Sequence, residues 1–201
     1  MKMKKLMMIA AFMVAALSVN AQNGVGQITL QPKVGINIAN LTGDGNKAKV
    51  GVVAGFEAEY GVAENFGIAA GLLYSMEGAK GDKVNGEAPK LNLDYLDIPV
   101  LAQYYIIPGL AIKAGAQLGI NVRKKISYDG DSMDVDKFFK ALGIDTNVES
   151  VNVCIPIGAS YEYQNFVFDG RYNLGLTKTF KNMNKNKSSI FTFTVGYKFA
   201  L

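Results

Sequence analysis

The chain has 201 residues, about the size of one domain, with 22 Gly, 10 Tyr and 11 Phe but neither Trp nor His. The missing histidine and the single cysteine, Cys154, exclude His-based catalytic pairs, His-ligated zinc, an internal disulfide and multi-cysteine metal sites. The formal net charge is +4, and because no clustered basic face accompanies it, we predict no nucleic-acid partner.

The start of the chain predicts a secretory signal peptide over residues 1–21. Lysines 2, 4 and 5 precede an apolar run over residues 6–17, and the predicted cleavage site is Ala21-Gln22. A helix of that run rises only about 18 Å, too short for a hydrocarbon core of about 30 Å. The mature domain is then residues 22–201, and removing the three lysines from the 21 basic residues leaves 18 against 17 acidic ones.

Alternation of apolar and polar residues dominates the rest of the chain and predicts β-strands. It is clearest over residues 166–177, where Phe168 and Leu174 fall on one face and Asp169 and Arg171 on the other. The same test predicts eight strands, over residues 27–39, 50–60, 66–77, 92–106, 110–122, 150–163, 166–178 and 189–199.

The predicted connections alternate in length. The short ones are residues 61–65, 107–109 and 164–165, and the long ones are residues 40–49, 78–91, 123–149 and 179–188. This layout is typical of an eight-stranded antiparallel up-and-down transmembrane β-barrel. In such a barrel the short turns and both termini lie in the periplasm and the long loops lie outside the cell.

Alternation alone leaves open a secreted, soluble, lipocalin-like barrel with its apolar face inward. Glycine placement favours the membrane barrel, because small residues suit a narrow interior, and ten glycines share the polar face: 35, 51, 55, 67, 71, 115, 119, 158, 175 and 196. Aromatic residues cluster at the short-turn ends and predict an interfacial girdle. The girdle comprises Tyr60, Phe66, Tyr104 or Tyr105, Tyr161, Tyr163, Phe166, Phe168, Tyr197 and Phe199.

With the polar face inward, the strands place a nearly balanced set of charges in one lumen. The predicted lumen network is Lys33, Glu57, Glu59, Glu77, Asp97, Lys113, Arg123, Glu162, Asp169, Arg171 and Lys198. A buried charge is costly unless it is paired, so we interpret these residues as a structural network rather than as a catalytic carboxylate pair. For Arg171 we expect Asp169, Asp97 or Glu57 as partner. The sequence predicts no catalytic, cofactor-binding or metal-ligating residues.

The longest loop holds an acidic stretch of Asp129, Asp131, Asp134 and Asp136. It lacks the glycine and glutamate of an EF-hand, which favours a solvated face over an irregular calcium site. Residues 134–143 predict a short helix with an apolar face of Phe138, Phe139 and Leu142. That face would pack over the barrel mouth or against lipid, or alternatively bind a partner.

Five segments carry a resemblance to a known family. They are KVGINIANL (33–41), GF (55–56), LLYS with EGAK (72–80), YLDIPVL (95–101) and RYNLGLT (171–177). In this order they resemble the signatures of the PorT-type outer-membrane β-barrel family. The resemblance implies export through the inner membrane and insertion into a Gram-negative outer membrane by the barrel-insertion machinery. The chain departs from the family in that Ala200 and Leu201 follow the terminal aromatic Phe199.

That family carries no agreed enzymatic activity. We therefore expect a non-enzymatic outer-membrane protein, surrounded by lipid, with a closed and charge-filled lumen and no cofactor. Its long outer loops would have a structural role or contact a protein or glycan partner. The alternative is a small-solute transporter or channel, which the narrow interior of eight strands disfavours.

Overall fold

The computed structural model describes residues 24–42, 46–82, 88–128, 131–144, 147–181 and 186–201. The predicted signal peptide, its cleavage site at Ala21-Gln22, and Asp129 lie outside the described residues. The elements in chain order are β1 (Ile28–Leu41), β2 (Lys49–Ala63), β3 (Phe66–Lys80), β4 (Lys90–Ile107), β5 (Leu110–Tyr128), β6 (Asp131–Asp134), α1 (Val135–Ala141), β7 (Val151–Tyr163), β8 (Phe166–Lys178), β9 (Lys187–Tyr197) and β10 (Phe199–Ala200).

Eight long strands, β1–β5 and β7–β9, form a closed antiparallel barrel, which confirms the predicted fold. Each strand pairs with the next along the chain, β5 with β7 across the long connection, and β9 closes on β1. The closing seam runs from Lys33 opposite Gly196 to Leu41 opposite Ser188. Two short strands extend the sheet: β10 pairs with the start of β1, and β6 pairs with the end of β5.

One end of the barrel carries the short turns. Gly109 follows Pro108 in one of them with φ of +83°, as the third residue of a type II turn requires. Gln164, the first central residue of another, has φ of +57°. Both ends of the described barrel lie here too, since the amide of Leu201 donates to the carbonyl of Ile28. The strands reach further than predicted at the opposite end, where β3 continues to Lys80 and β5 to Tyr128.

The barrel is apolar outside and polar inside. Val34 and Ile157 on the outer face are 58% and 54% exposed, whereas Glu57 and Asp169 on the inner face are 2% and 4% exposed. A soluble barrel would have the opposite arrangement. An apolar outer face of this extent requires lipid around it. Among the described residues, no helix is long and apolar enough to cross a membrane.

The aromatic residues predicted as a girdle lie at the short-turn end. Tyr197 packs edge-on against Phe166 and, tilted, against Phe199, with ring centroids 5.2 and 4.7 Å apart. The sequence allowed either Tyr104 or Tyr105 at one position of the girdle. Tyr104 faces outward, whereas Tyr105 points into the lumen. The remaining girdle positions are on the outside of the barrel or partly covered there: Tyr60, Phe66, Tyr161, Tyr163 and Phe168.

We predict that Ile157→Arg destabilises the barrel by about 2 to 4 kcal/mol. Ile157 lies four residues from Tyr161 along β7, about 10 Å into an apolar band of about 25 Å, so the arginine would sit near the midplane of the bilayer. Urea titration of the barrel refolded into lipid vesicles measures the free energy of unfolding.

Ile106→Arg is the matched control, since Ile106 is 55% exposed at the short-turn end of β4. We expect a cost of about 0 to 1 kcal/mol there. Equal costs at the two positions would contradict the placement of the apolar band.

Candidate functional site

The candidate site is the lumen together with the structure that covers its long-loop end. Ten of the eleven charged residues predicted to line the lumen are buried. Eight of them form two ion-paired clusters, one near the short turns and one in the centre of the lumen. The other two, Glu77 and Asp97, lie in a polar layer above these clusters.

The central cluster joins four strands around Arg171. The Nε of Arg171 lies 2.7 Å from the Oδ1 of Asp169, and one terminal nitrogen lies 2.6 Å from the Oε1 of Glu57. Lys33 on β1 contacts Glu57 at 2.7 Å, and Lys113 on β5 contacts Asp169 at 2.7 Å. Of the three acids expected as partners of Arg171, the structure thus provides Asp169 and Glu57.

A second cluster lies nearer the short turns, around Lys198. Its Nζ lies 2.6 Å from Glu162 and 3.2 Å from Glu59. The hydroxyl of Tyr105 donates to Glu59 at 2.7 Å and accepts from Lys198 at 3.1 Å. The two clusters together hold four cationic and four acidic side chains, so the network is neutral when all eight are ionised.

Above the central cluster the lumen is filled mostly by uncharged polar side chains, which do not belong to the predicted network of charges. Asn37 donates to Ser75 at 2.7 Å, and Ser75 donates to Glu77 at 3.0 Å. Thr192 donates to Asn37 at 2.7 Å and accepts from Asn173 at 3.0 Å. The signal was present in the alternation, because each of these residues occupies an inward position of its strand.

Two of the predicted lumen acids belong to this upper layer. Glu77 hydrogen-bonds Ser75, while Lys49 donates to the backbone carbonyl of Glu77 at 2.7 Å. Asp97 is 4% exposed and lies over Gly119, where a Cβ would approach its carboxylate to 2.7 Å. Both acids are therefore inside the barrel but outside the two ion-paired clusters.

Arg123 differs from the prediction, because it lies on the outer face. Register between β4 and β5 shifts between Tyr95, which is opposite Asn121, and Asp94, which is opposite Arg123. The extra residue, Val122, reverses the inward and outward positions of β5 beyond it. Arg123 accordingly contacts the outward-facing Asp94 at 3.4 Å.

The long-loop end of the barrel is covered by an apolar cluster, which we call the cap. Inward side chains at the ends of the strands meet residues from the long connections there. The cluster comprises Leu41, Ala79, Leu93, Tyr95, Val135, Val148 and Phe180. A cavity of about 10 Å³, room for about one water, lies between cap residues such as Tyr95 and the lumen residue Glu77.

Helix α1 contributes to the cap and accounts for two residues of the acidic stretch, Asp134 and Asp136. Asp134 caps the helix by accepting from the amide of Asp136 at 3.0 Å. Asp136 accepts from the amide of Val148 at 3.1 Å and forms an ion pair with Lys124. These carboxylates therefore fix the helix in place. In the part of the chain that the structure describes, no three Asp, Glu or Cys side chains are grouped as metal ligands would be.

The predicted apolar face of the helix is divided between two environments. Phe139 packs edge-on against Phe180 of the cap, with ring centroids 5.8 Å apart. Leu142 is instead 58% exposed. The predicted packing over the barrel mouth is thus made by Phe139, and Leu142 is left exposed among the described residues.

We predict that Asp169→Asn destabilises the barrel by about 3 to 5 kcal/mol, because it leaves three central cations with Glu57 alone. Adding Lys113→Met should restore part of this loss, since it removes the cation that Asp169 neutralises. A double-mutant cycle of urea unfolding in lipid vesicles measures both effects. The exposed pair of Asp82 with Lys47 supplies the control, and Asp82→Asn should cost less than about 1 kcal/mol. Strictly additive effects of the two lumen substitutions would contradict the pairing.

Comparisons with known proteins agree with this architecture. The crystal structure of Ail, the attachment invasion locus protein of Yersinia pestis, superposes with a TM-score of 0.50 at 16% identity, over 88% of this chain and 100% of that one. A second structure of Ail, in complex with the heparin analogue sucrose octasulfate, gives 0.50 at 13% identity over the same shares. Neisserial surface protein A gives 0.52 at 15% identity, over 90% of this chain and 99% of that one.

These similarities show a shared fold. No curated protein matches the chain. A family model described as the outer membrane protein beta-barrel domain matches residues 20–181, which is most of the chain. The chain therefore belongs to the outer membrane protein beta-barrel domain family, and its barrel spans the bacterial outer membrane.

Proposed function

We propose that the protein is a non-enzymatic outer-membrane barrel with a closed lumen, acting as a structural or interaction protein through its extracellular loops. The observation that carries this proposal is the filling of the lumen. Two ion-paired clusters, the polar layer of Asn37 and Thr192, and the apolar cap succeed one another along the barrel axis. The protein thereby offers partners its outer surface rather than a passage.

The extracellular end supplies a surface on which a partner would bind. Met133 on β6 is 50% exposed, and Leu142 and Ile144 at the end of α1 are 58% and 44% exposed. Tyr128 at the end of β5 is 40% exposed. Lipid does not cover these side chains, because they lie beyond the apolar band. Exposed apolar and aromatic groups in such a position support a protein partner or a glycan that packs on an aromatic ring.

A glycan partner has a precedent in the fold, since one structure of Ail holds a heparin analogue. The order of the five sequence segments supports the PorT-type branch of the family. It also supports insertion by the barrel-insertion machinery into a Gram-negative outer membrane. Export would remove residues 1–21 and leave a domain of residues 22–201 that begins at Gln22, which the intact mass of the purified protein measures.

The lumen opposes the alternative of a small-solute channel. We expect the purified barrel to give no steady, large-conductance openings in planar lipid bilayers, because paired charges and the cap fill the interior of an eight-stranded barrel. Persistent openings whose conductance scales with salt concentration would contradict the closed lumen and favour the transporter.

A photo-crosslinking residue at position 142 tests the interaction surface in intact cells. We expect a discrete crosslinked species from position 142, and its loss when Met133→Glu places a charge in the exposed apolar surface. Position 25 is the matched control, since Val25 is 63% exposed at the periplasmic end. The same species from both positions, or none from position 142, would contradict an extracellular interaction site.

A further inference from the structure

Lysines face lysines across neighbouring strands at the extracellular end of the barrel. Lys80 on β3 is directly opposite Lys90 on β4, and Lys178 on β8 is opposite Lys187 on β9. Lys47 forms an isolated bridge with Lys80. We call these five residues the lysine collar. Like charges directly opposite one another destabilise a sheet, so the barrel gains nothing from this pairing by itself.

The collar lies on the outer face of the barrel. Ala79 and Leu91, the neighbours of Lys80 and Lys90, pack inward in or against the cap, so the lysines alternate outward. Lys178 and Lys187 are exposed, and Ser188 beside Lys187 is buried. The side chains therefore project sideways from the barrel wall.

Carboxylates do not explain the collar. Lys47 pairs with Asp82 at 2.8 Å, in a contact exposed to solvent. Within the described residues, the ammonium groups of Lys80, Lys90, Lys178 and Lys187 have no acidic side chain within ion-pair distance. Four like charges in two cross-strand pairs thus lack compensation from that part of the protein.

The height of the collar identifies its surroundings. Lys80 lies fourteen residues along β3 from the girdle residue Phe66, and Lys178 lies twelve residues along β8 from Phe166. At about 2.5 Å of axial rise per tilted residue, Lys80 lies about 35 Å from the girdle. The pair of Lys178 and Lys187 lies about 25 to 30 Å from it, because the register of β8 shifts between Leu174 and Lys178. An apolar band of about 25 Å ends at or below these lysines, which places the collar at the headgroups of the outer leaflet.

We infer that the lysine collar binds the phosphate groups of a phosphorylated glycolipid in the outer leaflet of the outer membrane. A lysine ammonium is a compact charge that suits phosphate, and one phosphate between two facing lysines would turn their repulsion into attraction to a shared anion. This inference rests on the membrane location and is independent of the proposed partner surface at α1.

The collar predicts that removing its lysines slows unfolding in one kind of membrane and speeds it in another, and the test measures this reversal. In phosphatidylcholine vesicles at low salt, Lys90→Gln with Lys187→Gln should slow unfolding about twofold to fivefold, because it removes two like-charge contacts. In vesicles that also contain lipid A, the same variant should unfold faster than the unmodified protein. Heat-modified migration on gels, sampled over time, measures the unfolding rate, and about 1 M salt should remove both differences.

Two controls make the outcome decisive. Lys137→Gln with Lys140→Gln removes the same charge from exposed positions of α1 and should respond equally to both vesicle types. Inorganic phosphate added to phosphatidylcholine vesicles should not reproduce the effect of lipid A. The inference is overturned if the collar variant changes the unfolding rate equally in both vesicle types. It is also overturned if the α1 variant slows unfolding in one vesicle type and speeds it in the other, or if inorganic phosphate reproduces the effect of lipid A.

Discussion

Charge neutrality inside a narrow barrel is the constraint on which this structure depends. The interior of eight strands has little room for water, so the eight charged residues of the two clusters pair with one another, mostly across strands. Arg171 on β8 meets this requirement by contacting Glu57 on β2, a residue 114 positions away in the sequence. Lys33 and Lys113 attach β1 and β5 to the same cluster. The network therefore fixes the barrel across its lumen, where the backbone ladders connect only neighbouring strands.

The same network accounts for some of the glycines that face the lumen. A Cβ at Gly71 would lie 2.5 Å from the Cγ of Glu57, and one at Gly67 would lie 2.8 Å from the Oε1 of Glu59. Side chains long enough to meet in the centre need bare backbone on the adjacent strand. The polar composition of the lumen and the glycine content of the strands are thus two consequences of one packing problem.

Much of this arrangement could be predicted from the sequence because a closed barrel repeats one rule on every strand. Period-two alternation assigns each side chain to lipid or lumen, and Lys33, Glu57 and Asp169, which it assigns to the lumen, are buried. The prediction for Arg123 was wrong, because one inserted residue at a bulge exchanges the inward and outward positions of the strand beyond it. Alternation in the sequence does not reveal such an insertion. The cap could not be predicted for another reason. Leu93 and Phe180 come together from separate segments of the chain, and local pattern does not encode which loop covers which strand end.

The lumen lysines and the collar lysines differ in what explains their positions, because only those in the lumen stabilise the fold. Inside the barrel, Lys33, Lys113 and Lys198 each contact a carboxylate within 2.7 Å, as burial requires. On the outer face, Lys80 and Lys178 stand opposite other lysines, although a glutamate at either partner position would form a favourable cross-strand pair. Among the described residues these lysines have no acidic partner, and their position at headgroup height makes the membrane a source of negative charge for them. The interior charges therefore serve the fold, and the collar serves the contact between the fold and its bilayer.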